Sequence, residues 1–300
     1  MKGDNNPIKQ HYVPQVYLRN FCGSNGALAV LNKNTGKKFY TGTAGVGFEK
    51  NFYTLEKLED PYCWEKAYAK TIEPLMKELL SKIVSKTSML VRNGYCIINN
   101  KEKMQLAFVM VMQLLRGKQS RQYEEQLFKE LLPSINAMAK ENFGPLTSYQ
   151  QECLSIVESD PYYLKKIAME LTIDPDRIRK YTTIIGWHKF IFLHLCGEQE
   201  FVTSDNPVMF LNSETADPKP FANGILKKKT VIYYPISSKL LLFVIHPDYY
   251  FQKYAEMDGC LYHLDENKEQ HFINFINHKQ SEQSYNQVYA SKLKTLDKLG

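Results

Sequence analysis

The sequence predicts an α+β fold, with a β-rich N-terminal hairpin and later antiparallel strands packed with a helical middle and a C-terminal helix. Three observations carry that expectation. Short β-favouring runs broken by Gly, Asn and Pro occupy residues 1–60 and 186–247. Apolar residues at helical spacing fill 61–185. Helical patterning returns over 248–300, and no internal repeat, low-complexity tract or linker divides the chain. One domain over 1–300 is therefore expected, its two β-rich segments meeting over the helices.

After a polar leader, His11 and Pro14 fall in an extended or turn segment, and Val16–Phe21 forms a short helix that lands Leu18 and Phe21 in the core. Ala27–Asn32 and Lys37–Thr41 make a hairpin whose turn, Lys33-Asn34-Thr35-Gly36, supplies the residues its backbone angles need. Phe48–Thr54 is a third short strand. Pro61–Lys86 then carries Trp64, Ala67, Ile72, Leu75, Leu79 and Ile83 at helical spacing. A second helix, Asn100–Leu115, bends near Gly117 and continues to Leu132, where Pro133 marks a break. Further helices cover Ser148–Ser159, Pro161–Leu171 and Pro175–Ile185, the last two opened by Asp-Pro. Trp187–Cys196 pairs with Glu200–Leu211 across Gly197, and Thr230–Pro235 with Leu240–Ile245 across Ile236–Lys239. Between the two pairs, Asn212–Lys229 is a polar surface loop. The chain turns helical from Asp248 and closes with an amphipathic helix, or a pair of them, over Gln270–Lys298.

Hydrophobic residues make up 44% of the 300 and charged residues 23%, ordinary globular values that exclude wholesale disorder. The net charge of +6 leans towards anionic partners, nucleic acid or nucleotides. Most of the 20 Tyr and 16 Phe are expected in the core, with some free to stack on bases. Cys22, Cys63, Cys96, Cys153, Cys196 and Cys260 show neither CxxC nor zinc-finger spacing, which fits free thiols in a reducing cytoplasm. The N-terminus lacks a signal-peptide core, and the longest apolar run, Leu106–Leu115, is too short to span a bilayer. A cytoplasmic protein without a membrane partner is expected. The P-loop, GxGxxG, GxSxG and HExxH signatures are absent, which disfavours the NTPases, dehydrogenases and hydrolases that use them.

Several polar groups look out of place. In Thr203-Ser204-Asp205-Asn206-Pro207, a hydroxyl, a carboxylate and an amide project from one strand end, although the run also makes a good turn. Gln113 and Arg116 share one face of an otherwise apolar helix, and a buried guanidinium needs an acidic or phosphate partner. Glu65 and Glu73 lie about 80° apart around the preceding helix at 3.6 residues per turn. They could face Arg116, ligate a divalent cation, or simply be solvated. His11 suits a general base, a proton donor, a metal ligand or a satisfied core imidazole. His188, His194, His246, His263, His271 and His278 show no HxxxH or HxH pattern and are read as structural.

Taken together, His11-Tyr-Val-Pro14-Gln-Val-Tyr-Leu18-Arg-Asn-Phe21, Asn51-Phe-Tyr-Thr54, Gln113-Leu-Leu-Arg116, Thr203-Ser-Asp-Asn-Pro207 and Tyr234-Pro-Ile-Ser237 resemble, in that order, a widespread bacterial family known as domain of unknown function 4238. The resemblance covers nearly the whole chain, including Asn274–Ala290. It implies that His11, Gln113, Arg116, Ser204, Asp205 and Asn206, with Glu65 and Glu73, belong to one site. It also implies an accessory or defence role in bacteria.

The leading functional expectation is a phosphodiester-cleaving enzyme, a nuclease with RNA among its candidate substrates, in a phage-defence or toxin-like setting. His11 would transfer a proton and Arg116 would neutralise the phosphate. Asp205 with Glu65 or Glu73 would hold Mg²⁺ or Mn²⁺, or act as base. Gln113, Ser204 and Asn206 would bind substrate. Two alternatives use the same residues: a non-catalytic sensor of a small anionic ligand or nucleotide, and a structural pairing of Arg116 with Asp205 and a glutamate.

Overall fold

The computed structural model of the chain describes residues 7–90, 92–216, 224–248 and 256–299. The N-terminal segment contains β1 (Lys9–His11), α1 (Gln15–Leu18) running into a 3₁₀ turn at Arg19–Phe21, β2 (Leu28–Asn32), β3 (Lys38–Thr41) and β4 (Phe48–Lys50). Next come α2 (Cys63–Ala67), a π-helical turn at Tyr68–Ile72 and α3 (Glu73–Met89), which follow one another without a break. The middle continues with β5 (Tyr95–Cys96), α4 (Asn100–Leu115), α5 (Lys118–Phe143), α6 (Ser148–Ser159), α7 (Pro161–Thr172) and α8 (Pro175–Trp187). The second β segment holds β6 (Lys189–Leu195), β7 (Thr203–Ser204), β8 (Met209–Asn212), β9 (Thr230–Ser237), β10 (Leu240–Ile245) and β11 (Cys260–Leu264). The chain closes with α9 (Gln270–Gln283), β12 (Gln287–Ala290) and α10 (Leu293–Asp297).

Among the described residues the strands form three sheets: β1-β4, the mixed sheet β5-β11-β6-β10-β9-β8, and the antiparallel sheet β3-β2-β12-β7. This is an α+β fold, as the patterning predicts. The main core packs Phe190, Phe192, Ile232, Leu242 and Val244 of the large sheet with Leu106, Val109 and Met110 of α4 and Met76 and Leu80 of α3. Tyr17 ties three distant segments of the sequence together: its ring stacks on Tyr234, and its hydroxyl meets Thr203 Oγ1 at 2.6 Å and donates to Pro235 O at 2.7 Å.

Five expectations need correction. Trp187–Cys196 and Glu200–Leu211 do not pair: β6 lies between β10 and β11, β7 joins β12, and β8 joins β9. The connecting stretch is captured from outside, with Asn277 accepting from Val202 N–H and donating to Glu200 O at 2.9 Å each. Pro133 does not end its helix; α5 runs through it, because the position is exposed and water reaches the carbonyl left without an N–H partner. Gly117 is more than a bend: with extended backbone, it separates α4 from α5. The closing segment is interrupted by β12, whose Val288 and Tyr289 lie between β2 and β7. The helix expected from Asp248 falls partly outside the described residues, and Cys260–Leu264 beyond them is strand β11. The polar leader through Asn6 and part of the 212–229 loop also lie outside the described residues.

Candidate functional site

Arg116 is delivered by α4. That helix starts with a reciprocal cap in which Asn99 Oδ1 accepts from Glu102 N–H and Glu102 Oε2 accepts from Asn99 N–H, both at 2.9 Å. It packs closely on α8 at Gly186, where a Cβ would come within 2.3 Å of Met104 Sδ. At its other end Arg116 caps the helix with its side chain 0% exposed.

The guanidinium is held by groups from three other elements. Its Nη2 donates to His11 O at 2.5 Å and to Glu73 Oε1 at 3.3 Å, and its Nε donates to Tyr53 Oη at 3.4 Å. Tyr53 in turn donates to Arg116 O at 2.9 Å, so one phenol serves both the side chain and the helix end. The ring of Tyr68 lies 4.4 Å from the guanidinium carbon, close enough for a cation–π contact. Gln10 sets Tyr53 in place, accepting from Tyr53 N–H at 2.5 Å and donating to Thr54 Oγ1 at 2.8 Å. The segment after His11 is fixed by Val13 N–H donating to Gly47 O at 3.1 Å. Gly47 itself has φ +63°, and a Cβ there would stand 3.1 Å from Val13 Cβ.

The π-helical turn explains how Glu65 and Glu73 share this site. Bonds from i to i+5 rotate each residue by roughly 80° rather than 100°, so eight steps that include this turn come to about two full revolutions. Both carboxyls therefore face Arg116, with Tyr68 between them in sequence. Glu65 feels Arg116 and Glu73 electrostatically, yet burial dominates and pushes its carboxyl from 4.5 up to about 7. His11 moves the other way, from 6.5 down to about 4, through burial first and the Arg116 charge second. Arg116 stays firmly charged: burial opposes its charge, and Tyr53, Glu73 and Tyr68 more than offset that. Four buried polar atoms here have no hydrogen-bond partner: Arg116 Nη1, His11 Nε2, Glu65 Oε2 and Gln113 Oε1. Gln113 is otherwise engaged through Nε2, which donates to Tyr12 O at 3.2 Å.

Asp205, Ser204 and Asn206 sit in a second polar group with different partners. The Asp205 carboxylate accepts from the backbone N–H groups of Tyr285, Asn286 and Gln287 at 2.7, 2.7 and 2.8 Å. It thereby fixes the turn from α9 into β12. Ser204 Oγ accepts from Gln280 Nε2 at 2.6 Å and from Asn206 N–H at 3.0 Å. The Asn206 amide donates to Gln119 Oε1 and to Gln283 O. Asp205, Glu65 and Glu73 do not come together as a three-ligand group among the described residues. The structure thus brings His11, Gln113, Arg116, Glu65 and Glu73 together and leaves the Thr203–Pro207 run as a fastening turn. Sequence reasoning did not single out Gln10, Tyr53 and Tyr68; Tyr53 stands inside the Asn51–Thr54 motif, whereas Tyr68 carries no signal apart from its helix.

Fold and site define an α+β protein built around a buried arginine flanked by an imidazole and two carboxyls. The family profile described as protein of unknown function (DUF4238) matches residues 9–294, and the chain belongs to that family. No curated protein and no solved structure matches the chain.

Proposed function

We propose that the chain is a phosphodiester-cleaving enzyme whose chemistry is carried by the Arg116 cluster. The observation behind this reading is that Arg116 Nη1, His11 Nε2 and Glu65 Oε2 are buried without a hydrogen-bond partner, and that His11 and Glu65 both lie within electrostatic reach of the guanidinium. Two neighbouring titratable groups pushed apart in pKa are a pattern of acid–base sites. Near neutral pH His11 is an uncharged imidazole that takes a proton from the attacking hydroxyl or water. Glu65 retains its proton in part and delivers it to the leaving oxygen. Arg116 Nη1 donates to a phosphate oxygen and offsets the charge that builds there. Glu73, held at 3.3 Å with its side chain 23% exposed, is the partner the phosphate displaces. The net charge of +6 favours a polyanionic substrate. A bacterial phage-defence or toxin-like setting fits such an activity.

The test is purified protein incubated with RNA and DNA, with and without Mg²⁺ or Mn²⁺, alongside His11→Gln and Glu65→Gln. Each variant should lose roughly 100-fold or more in rate while staying folded. Cleavage at an unchanged rate in both variants would remove the proposal. A second reading, a structural pairing of Arg116 with a glutamate, is favoured by the complete burial of the Arg116 side chain and its ion pair with Glu73. Unfolding of Arg116→Ala, together with no cleavage by the parent chain and no stabilisation of it by a nucleotide panel, would select it over both the enzyme and a non-catalytic sensor of a small anion or nucleotide.

A further inference from the structure

A different cluster lies on the large sheet, outside the Arg116 site. β6 and β11 run parallel with His194 opposite His263, and Cys196 follows His194 by two residues on the same face. His194 Nδ1 is 3.1 Å from His263 Nδ1, and Cys196 Sγ is 3.5 Å from the first and 3.2 Å from the second. Hydrogen bonds cannot satisfy all three edges of this triangle. Each neutral Nδ1 is either an N–H or a lone pair, never both. Once one imidazole donates to the other, either thiol edge must share a proton or a lone pair already in use.

A cation at the centre would satisfy all three atoms at once. With Zn–N of about 2.0–2.1 Å and Zn–S of about 2.3 Å, tetrahedral coordination sets the N···N and N···S edges at about 3.3 and 3.6 Å. The observed triangle lies within about 0.4 Å of those edges. The segment after Cys196 is braced from both sides. Glu266 accepts from Gly197 N–H at 2.5 Å and from Gln199 N–H at 2.9 Å, while Lys239 Nζ donates to the carbonyls of Gly197 and Gln199. A Cβ on Gly197 would come within 2.5 Å of Glu266 Oε2, so this bracing depends on glycine there.

We propose that His194, Cys196 and His263 form a three-ligand site for a borderline-soft divalent metal, Zn²⁺, with the fourth position open on the exposed Cys196 side. On binding, the Cys196 thiol gives up its proton to solvent and the thiolate ligates. The ligand set is wrong for Mg²⁺, which takes oxygen donors, so this site is distinct from any hard-cation role at the Arg116 cluster.

The experiment is titration of chelator-stripped full chain with Co²⁺, read by absorption. A single equivalent should give a thiolate-to-cobalt charge-transfer band and the intense visible bands of tetrahedral cobalt, both lost on adding Zn²⁺. Cys196→Ser should lose the charge-transfer band and His263→Ala the tetrahedral bands, with far-ultraviolet circular dichroism unchanged. Zn²⁺ should also raise the Tm of the parent chain and leave that of Cys196→Ser unmoved. A pale octahedral cobalt spectrum, or a charge-transfer band that survives in Cys196→Ser, would overturn the site.

Discussion

Arg116 donates to His11 O, Glu73 and Tyr53, so its removal would strand partners on three elements at once. Arg116→Ala should cost about 3–5 kcal/mol, measured by denaturant unfolding, because it breaks a buried charged network from one side. That makes Arg116 a poor probe of activity and leaves His11 and Glu65 as the informative positions. Their pKa displacements also predict opposite pH effects on stability. The folded Glu65 carboxyl keeps its proton to about pH 7 and the unfolded one only to about 4.5. Its contribution is therefore full below pH 4.5 and disappears as pH rises through 7. Glu65→Gln removes that loss, so the Tm of the variant relative to the parent should increase between acid and mildly alkaline buffer. For His11 the folded value is about 4 against 6.5, so its contribution is present above 6.5 and lost as pH falls through 4. A Glu65→Gln variant whose Tm tracks the parent across the whole range would contradict the buried, proton-retaining carboxyl. At this scale the sequence was informative about Arg116, because a guanidinium on an apolar helix announces its need for a partner. It gave His194 and His263 as structural and Cys196 as a free thiol, with no sign that the three meet. The His-x-Cys spacing at the end of β6 is visible in the chain, but the third group comes from a strand whose parallel pairing no local pattern encodes.

Elements were legible where periodicity was strong. The β2–β3 hairpin, the β9–β10 pair and the helices from Ser148 to Trp187 lie where apolar spacing and Asp-Pro starts place them. Misreadings cluster where local preference is overridden, by strand pairing at β6, β7 and β12 and by solvent exposure at Pro133. Pro133 is the clearest case, an exposed proline that α5 tolerates rather than obeys. Restoring an N–H there by Pro133→Ala should add about 1–3 kcal/mol to the helix and raise the Tm. An unchanged or lowered Tm would mean that the local geometry around Pro133 is required by its packing. The π-helical turn at Tyr68–Ile72 belongs to the same class, since no residue in it forbids an ordinary helix. It is held by what it presents, Tyr68 against Arg116 and two carboxyls on one side.

For the molecule as a whole, Asp205 matters most as a fastener. Its carboxylate collects three backbone N–H groups from the α9–β12 turn, and its own strand, β7, pairs with β12. Asp205→Ala should lower stability by about 2–4 kcal/mol, seen as a shift of the unfolding midpoint, because these donors lose a charged acceptor. The Thr203–Pro207 run was prominent in the sequence for a real reason, but that reason joins distant parts of the chain. A single sequence does not distinguish a carboxylate that binds a ligand from one that binds its own backbone.

The placement of β12 also governs the order in which the protein can mature. Ala29 in β2 is paired with Ala290, and Tyr289 with Thr203, so the N-terminal hairpin lacks its inner neighbour until residues 287–290 have left the ribosome. Throughout synthesis β2 presents an unpaired, apolar edge, the kind of surface that chaperones cover and that aggregates recruit. The N-terminal hairpin therefore completes its sheet only after residues 287–290 emerge, and the yield in a cell depends on how quickly that late strand finds β2.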